Sequence, residues 1–228
     1  MSYNFSPKIV TDGLVFYLDA ANTKSYIGSG TTWTDLSRGD NSGILNGAVF
    51  NSLNGGSISF DGVDDNVNCG NNSALDVGNN ITVNAWIFLP SAGAITGYRP
   101  IVSKVVSGAT LGWEMGNSAG TLRCVFRPTS SIIDLSGPTL SIGVWQMCTF
   151  TYNNVTARLY LNGVLGASTS SGGPVTLNST QPLQVATRGI GGSTFFGRIS
   201  MVSVYNRALS TTEILQNYNA NKSRFGLS

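Results

Sequence analysis

The chain has 228 residues, of which only 11% are charged, against roughly 25% in an ordinary globular domain. It contains no histidine, which excludes Ser-His-Asp and Cys-His catalysis and any imidazole metal ligand. The net charge is +2 with no basic cluster, so nucleic-acid binding is not expected, and no apolar window approaches the roughly 18 residues of a membrane helix. Apolar residues make up 41% of the chain, enough for a core, and the missing charge is replaced by Asn, Ser, Thr and Gly. Cys69, Cys124 and Cys148 are an odd number without zinc-type spacing and read as small buried hydrophobes. Met1-Ser2-Tyr3-Asn4-Phe5 lacks the charged and apolar regions of a signal peptide, so synthesis in a cytoplasm without export is the expectation.

In chain order, residues 1–12, with Phe5, Pro7 and Ile9, read as an N-terminal arm that either docks on a neighbouring copy or lies along an edge. Residues 13–228 read as one domain, a length that all-β sandwiches reach as a single unit. Short β-type runs separated by Gly, Asn and Ser predict strands over 14–18, 57–60, 66–69, 81–89, 101–106, 112–115, 122–127, 146–152, 157–161, 183–186 and 196–205. With no long helix between them, they predict an antiparallel sandwich or barrel. In the run from Ile81 to Leu89, large apolar groups fall on both faces, which places that strand in the middle of a sheet. Asn162-Gly163 between two apolar arms predicts a hairpin with a type I′ turn, and 168–173 a loop tip. Ser210-Thr-Thr-Glu213 is a capping box that opens the one predicted helix, over about 211–221.

Four pieces in this order resemble a known family: Gly13-Leu-Val-Phe-Tyr-Leu-Asp-Ala20, Ser59-Phe-Asp-Gly-Val-Asp-Asp-Asn-Val67, Ile81-Thr-Val-Asn-Ala-Trp86, and, after Trp145 and the hairpin, Gly197-Arg-Ile-Ser-Met-Val-Ser-Val-Tyr-Asn-Arg-Ala-Leu-Ser210. Together they resemble the laminin G-like, concanavalin A-like jelly-roll domains over nearly the whole chain. The resemblance implies an all-β fold of two antiparallel sheets packed face to face, with one short C-terminal helix. The ending, from Ile214 to Leu227, resembles a bacteriophage-encoded subset found in virion accessory proteins.

Site residues follow from chemistry. Some relatives on this fold cleave glucans, which needs two carboxyl groups close together. Glu114 has no acid within four residues and reads as an exposed strand residue, so no catalytic residue is expected. Asp61, Asp64 and Asp65 read as a strand-closing turn, with a calcium site as the alternative reading. The acids that relatives often place after Ile199 are replaced here by Ser200 and Met201, which counts against one common calcium arrangement. Tyr26, Trp33, Tyr98 and Trp113 lie in or near Gly/Ser-rich connections and are the candidate exposed aromatics for stacking on a sugar, whereas Trp86 and Trp145 read as core.

These readings predict a non-enzymatic protein. The main expectation is a virion component made in the host cytoplasm: a capsid decoration or a tail or fibre part, present in many copies or as a homo-oligomer among other virion proteins. It would touch cell-surface polysaccharide at most, with no nucleic acid, no membrane insertion and no cofactor. The alternative is a free-standing carbohydrate-binding lectin or adhesin.

Overall fold

The computed structural model describes residues 8–77, 79–105, 112–127, 132–170, 181–189 and 193–228. Among them are sixteen strands: β1 (Leu14–Asp19), β2 (Thr32–Trp33), β3 (Gly43–Asn46), β4 (Val49–Asn51), β5 (Ser57–Asp61), β6 (Asn66–Asn68), β7 (Ile81–Phe88), β8 (Tyr98–Lys104), β9 (Gly112–Ser118), β10 (Thr121–Arg127), β11 (Ile133–Thr139), β12 (Trp145–Tyr152), β13 (Thr156–Leu161), β14 (Val164–Ser170), β15 (Gln184–Val185) and β16 (Phe196–Tyr205). One helix, α1 (Thr211–Asn221), follows.

The strands form two antiparallel sheets. The first runs β14-β13-β12-β7-β16-β5-β4, with β1 also paired to β16; the second runs β11-β10-β9-β8-β15-β6-β3-β2. The two-sheet sandwich with a short C-terminal helix is the fold that the resemblance implies. β7 lies between β12 and β16, and its first seven residues are buried, as its two apolar faces require. Its inward face supplies Ile81, Val83, Ala85 and Ile87 to the main core, where Phe16, Leu18, Trp113, Phe126, Phe150 and Phe195 are also fully buried. The hairpin turn is confirmed: Asn162 and Gly163 take φ of 53° and 82°, between β13 and β14. All three cysteines are buried and unpaired, and burial pushes each thiol pKa well up, which leaves them inert.

The outward face of the first sheet carries an apolar patch around Trp86 that is covered from solvent. Trp86 on β7 stacks between Tyr218 of α1, 5.6 Å away, and Phe225 in the short 3₁₀ turn that follows, 4.4 Å away. Phe225 also packs on Trp145 at 4.7 Å. This second core continues through Met147, Tyr160, Met201, Tyr205, Leu209 and Ile214. Residues 8–10 dock on the same surface of their own chain: Val10 N–H donates to Asn217 Oδ1 at 2.8 Å, and Tyr205 OH donates to the Val10 carbonyl at 2.9 Å. The rest of the expected arm, residues 1–7, and the 171–173 end of the expected loop tip lie outside the described residues.

The capping box forms as expected. Ser210 Oγ accepts from Glu213 N–H, and the Ser210 N–H donates to Glu213 Oε2 at 2.8 Å. Arg207 Nη2 lies 2.6 Å from Glu213 Oε1. The Arg207 hydrogen bond, with the Ser210 amide adding to it, brings the Glu213 carboxyl from its ordinary 4.5 down to about 2.

Two outcomes follow for stability. Trp86→Ala removes the centre of the second core and should cost about 3–5 kcal/mol in urea unfolding. Because the folded pKa of Glu213 lies below the unfolded one, its contribution is complete above pH 4.5 and lost as pH falls toward 2. Arg207→Ala should therefore flatten the acid limb of a stability-versus-pH curve measured from pH 6 to 2.

Candidate functional site on the second sheet

The outward face of the second sheet stays polar. One cross-strand row runs Thr32, Ile44, Asn68, Gln184, Ser103, Glu114, Val125, Asp134, residue opposite residue, from β2 to β11. The neighbouring row, Leu45, Val67, Val185, Val102, Met115, Cys124 and Leu135, points into the core, as period-two alternation demands.

Glu114 is the hub of the outward row. It is not the exposed strand residue expected from sequence: it is only 1% exposed, because arginines cover it. Arg127 at the end of β10 donates from Nη1 to Oε1 at 3.2 Å. Arg188 brings Nε to 2.9 Å from Oε2, an ion-pair contact in which the N–H does not point at the oxygen. Arg188 follows β15 in a segment tied to the sheet on both sides. Ser103 Oγ donates to the Thr187 carbonyl at 2.7 Å, and Gly189 N–H donates to Gln184 Oε1 at 2.7 Å.

Tyr98 completes the cluster. Its hydroxyl lies against Gly116, where an added Cβ would come within 2.8 Å of it; only glycine lets the phenol rest there. The guanidinium of Arg123 lies 5.3 Å from the ring centre and that of Arg188 lies 5.9 Å from it. Burial first, then the facing Glu114 carboxylate, pushes the phenol pKa well up, so the group stays an O–H donor. Arg123 is itself held by a two-pronged pair with Asp134 on β11, Nε to Oδ1 at 2.6 Å and Nη2 to Oδ2. Glu114 Oε2 and Arg188 Nε, both buried, contact each other in the ion pair, and the buried Tyr98 hydroxyl faces the same carboxylate.

Of the four aromatics expected to stack on a sugar, three are not exposed. Trp33 and Trp113 are fully buried, because each sits at an inward position of its strand. Tyr26 is 4% exposed; its ring packs 5.3 Å from Phe50 and its hydroxyl donates to the Gly30 carbonyl at 2.6 Å. Tyr98 alone is half-buried, and with guanidiniums about it the ring is a support rather than an open platform. Sequence reasoning missed Arg123, Arg127 and Arg188. The hairpin Ala119-Gly120 between β9 and β10 sets Glu114 opposite Val125, hence diagonal to Arg123 and Arg127, and carried that signal.

The three aspartates form a separate cluster. Asp61, Asp64 and Asp65 each bring a carboxylate oxygen within 4.8 Å of the others. Turn hydrogen bonds occupy two of them: Asp61 N–H donates to Asp65 Oδ2, and Val63 N–H to Asp61 Oδ1, both at 2.8 Å. Burial raises the Asp65 pKa, and the neighbouring Asp61 and Asp64 charges add to the rise. Where relatives often carry acids, Ser200 Oγ instead donates to the Gly56 carbonyl at 2.6 Å. Calcium takes about six to eight oxygens, and these residues supply only part of such a shell. The turn accounts for the geometry.

A family model described as the concanavalin A-like lectin/glucanases superfamily matches residues 61–215. A search of curated proteins finds no match. Among solved structures, the binding domain of Paraclostridial Mosquitocidal Protein 1 superposes with a TM-score of 0.73 at 19% identity, over 91% of this chain and 52% of that one. The receptor binding domain of botulinum neurotoxin type G gives 0.66 at 15% identity, over 91% and 51%. Domain 4 of AbnA, an extracellular arabinanase from Geobacillus stearothermophilus, solved in complex with arabinotriose, gives 0.70 at 14% identity, over 92% of this chain and all of that domain. The chain spans about half the length of the two toxin domains. At these identities the likeness is one of fold.

A chelator test separates turn from metal at the aspartates. Treatment with EDTA should leave the melting temperature unchanged; a rise on adding millimolar calcium, lost in Asp65→Asn, would instead establish an ion there.

Proposed function

We propose that this chain, which belongs to the concanavalin A-like lectin/glucanases superfamily, is a non-enzymatic glycan-binding module whose ligand face is the outward side of the second sheet. The observation that carries the reading is the polar outward face of the second sheet, on which Arg123, Arg127 and Arg188 gather about Glu114 and Tyr98. Each guanidinium offers several N–H donors, which is what the hydroxyl and carboxylate oxygens of a sugar accept from. AbnA domain 4 in complex with arabinotriose and the toxin binding domains support the reading as examples of the fold used for binding.

Among the described residues, the positions next to Glu114 on its own face are Gly112, Gly116, Ser103 and Val125, none of them a carboxylate. The next acid along the row, Asp134, lies beyond Val125 and is held in its two-pronged pair with Arg123. Both Glu114 oxygens already face arginines. This arrangement binds rather than cleaves.

Of the two roles that the sequence suggests, the lectin or adhesin is the better supported by the site. The residues that carry the resemblance to phage proteins, from Ile214 to Leu227, have a packing role: Ile214, Tyr218 and Phe225 cover Trp86 and its neighbours. They would be needed for stability in any setting.

A glycan array probed with the purified chain should give reproducible binding. Glu114→Gln keeps the shape but removes the charge, and should weaken the best hit by about ten- to a hundredfold, the worth of a hydrogen bond to a charged group. Release of reducing ends from any bound polysaccharide, abolished by the same substitution, would make the protein an enzyme and sink this proposal.

A further inference from the structure

The charge of the site points to the class of sugar. Five charged side chains gather on the outward face of the second sheet: Arg123, Arg127 and Arg188, with Glu114 and Asp134. Arg123 and Asp134 form a closed, two-pronged pair and cancel. Arg127 and Arg188 share the single carboxylate of Glu114, so the centre carries one positive charge in excess. That excess is not well solvated. The side chains of Arg127 and Arg188 are 12% and 21% exposed, and Glu114 is 1% exposed.

An uncompensated charge held away from water is costly, and an opposite charge brought beside it recovers much of that cost. A guanidinium offers five N–H donors. Arg127 spends one on Glu114 Oε1, and Arg188 turns its Nε to Glu114 Oε2, which leaves the other N–H groups of both guanidiniums. The complementary ligand has one anionic group for these guanidiniums.

We infer that the ligand of this face is an acidic saccharide, a sugar bearing a carboxylate that pairs with the guanidiniums of Arg188 and Arg127. The inference rests on the glycan-binding reading and narrows it. A planar carboxylate suits a guanidinium fork better than a tetrahedral sulfate does, which favours carboxylated over sulfated sugars.

The test is isothermal titration calorimetry of the full chain against matched oligosaccharides. One set carries carboxylates (galacturonate, glucuronate, mannuronate and N-acetylneuraminate), one set is the neutral parent sugars, and one set is sulfated. At least one carboxylated sugar should bind about tenfold or more tighter than its neutral parent, and its affinity should fall as salt is raised. Arg188→Gln should remove that preference while the thermal melt shows the chain still folded. If that variant does not fold, Arg188→Lys, which keeps the charge and loses the fork, should reduce it instead. Neutral sugars binding as tightly as acidic ones, with Glu114→Gln still weakening them, would overturn the acidic assignment and leave the glycan-binding reading standing. Tighter binding of the sulfated set would overturn the carboxylate. No binding by any of the three sets would bring down both readings.

Discussion

The stack of Trp86 between Tyr218 and Phe225 decides how this molecule uses its two outer surfaces. A sandwich of two sheets has an inner core and two outward faces. Here β7 carries large apolar groups on both sides, so the part of the first sheet's outward face around Trp86 is hydrophobic and must be covered. The end of the chain covers it. The capping box fixes where α1 begins, and the 3₁₀ turn after the helix delivers Phe225 to the indole. Residues 8–10 close over the same layer and are held by Asn217 and Tyr205. One outward face is consumed in stability, and the other carries the polar row and its charged cluster.

The free face is built differently. Its central row is polar from Asn68 to Glu114, and its strands are held in register by the apolar row just inside. Charges are rare in the chain as a whole, yet five of them meet on this sheet. A chain that replaces charge with Asn, Ser and Thr almost everywhere, and then buries a glutamate under two arginines, concentrates its electrostatic potential at one place. Low charge elsewhere also means that little competes with that centre for an anionic partner.

The sequence was legible where the local rule and the tertiary setting agree. β7, the Asn162-Gly163 turn and the helix with its Ser210–Glu213 cap fall where alternation, turn chemistry and capping place them. The short strands β2, β3 and β4 and the Gly/Pro-containing β11 were not legible, since their pairing is set by neighbours distant in sequence. The site was half legible. Tyr98 and Glu114 were singled out as separate residues, but nothing in the linear sequence joins them to Arg188, which arrives from 74 positions beyond Glu114 through the β15 segment. Trp33, Trp113 and Tyr26 misled for a physical reason: Gly and Ser near an aromatic do not say which way its ring points, and Trp33 and Trp113 take inward strand positions while Tyr26 packs on Phe50.

The burial of the site bears directly on how it can bind. A receptor face made from long, solvent-exposed side chains must freeze them when a ligand arrives, at about 0.5–1.5 kcal/mol for each. Here that cost is met in folding. Arg123 is clamped by Asp134, Arg127 and Arg188 lie on Glu114, and the Tyr98 ring between Arg123 and Arg188 rests on a glycine. Hydrogen bonds on either side of Arg188 fix its backbone. On the proposed reading, a ligand's charge would meet guanidiniums already held in place, so selectivity would come from the match of that charge to the cluster, with little left for the protein to reorganise.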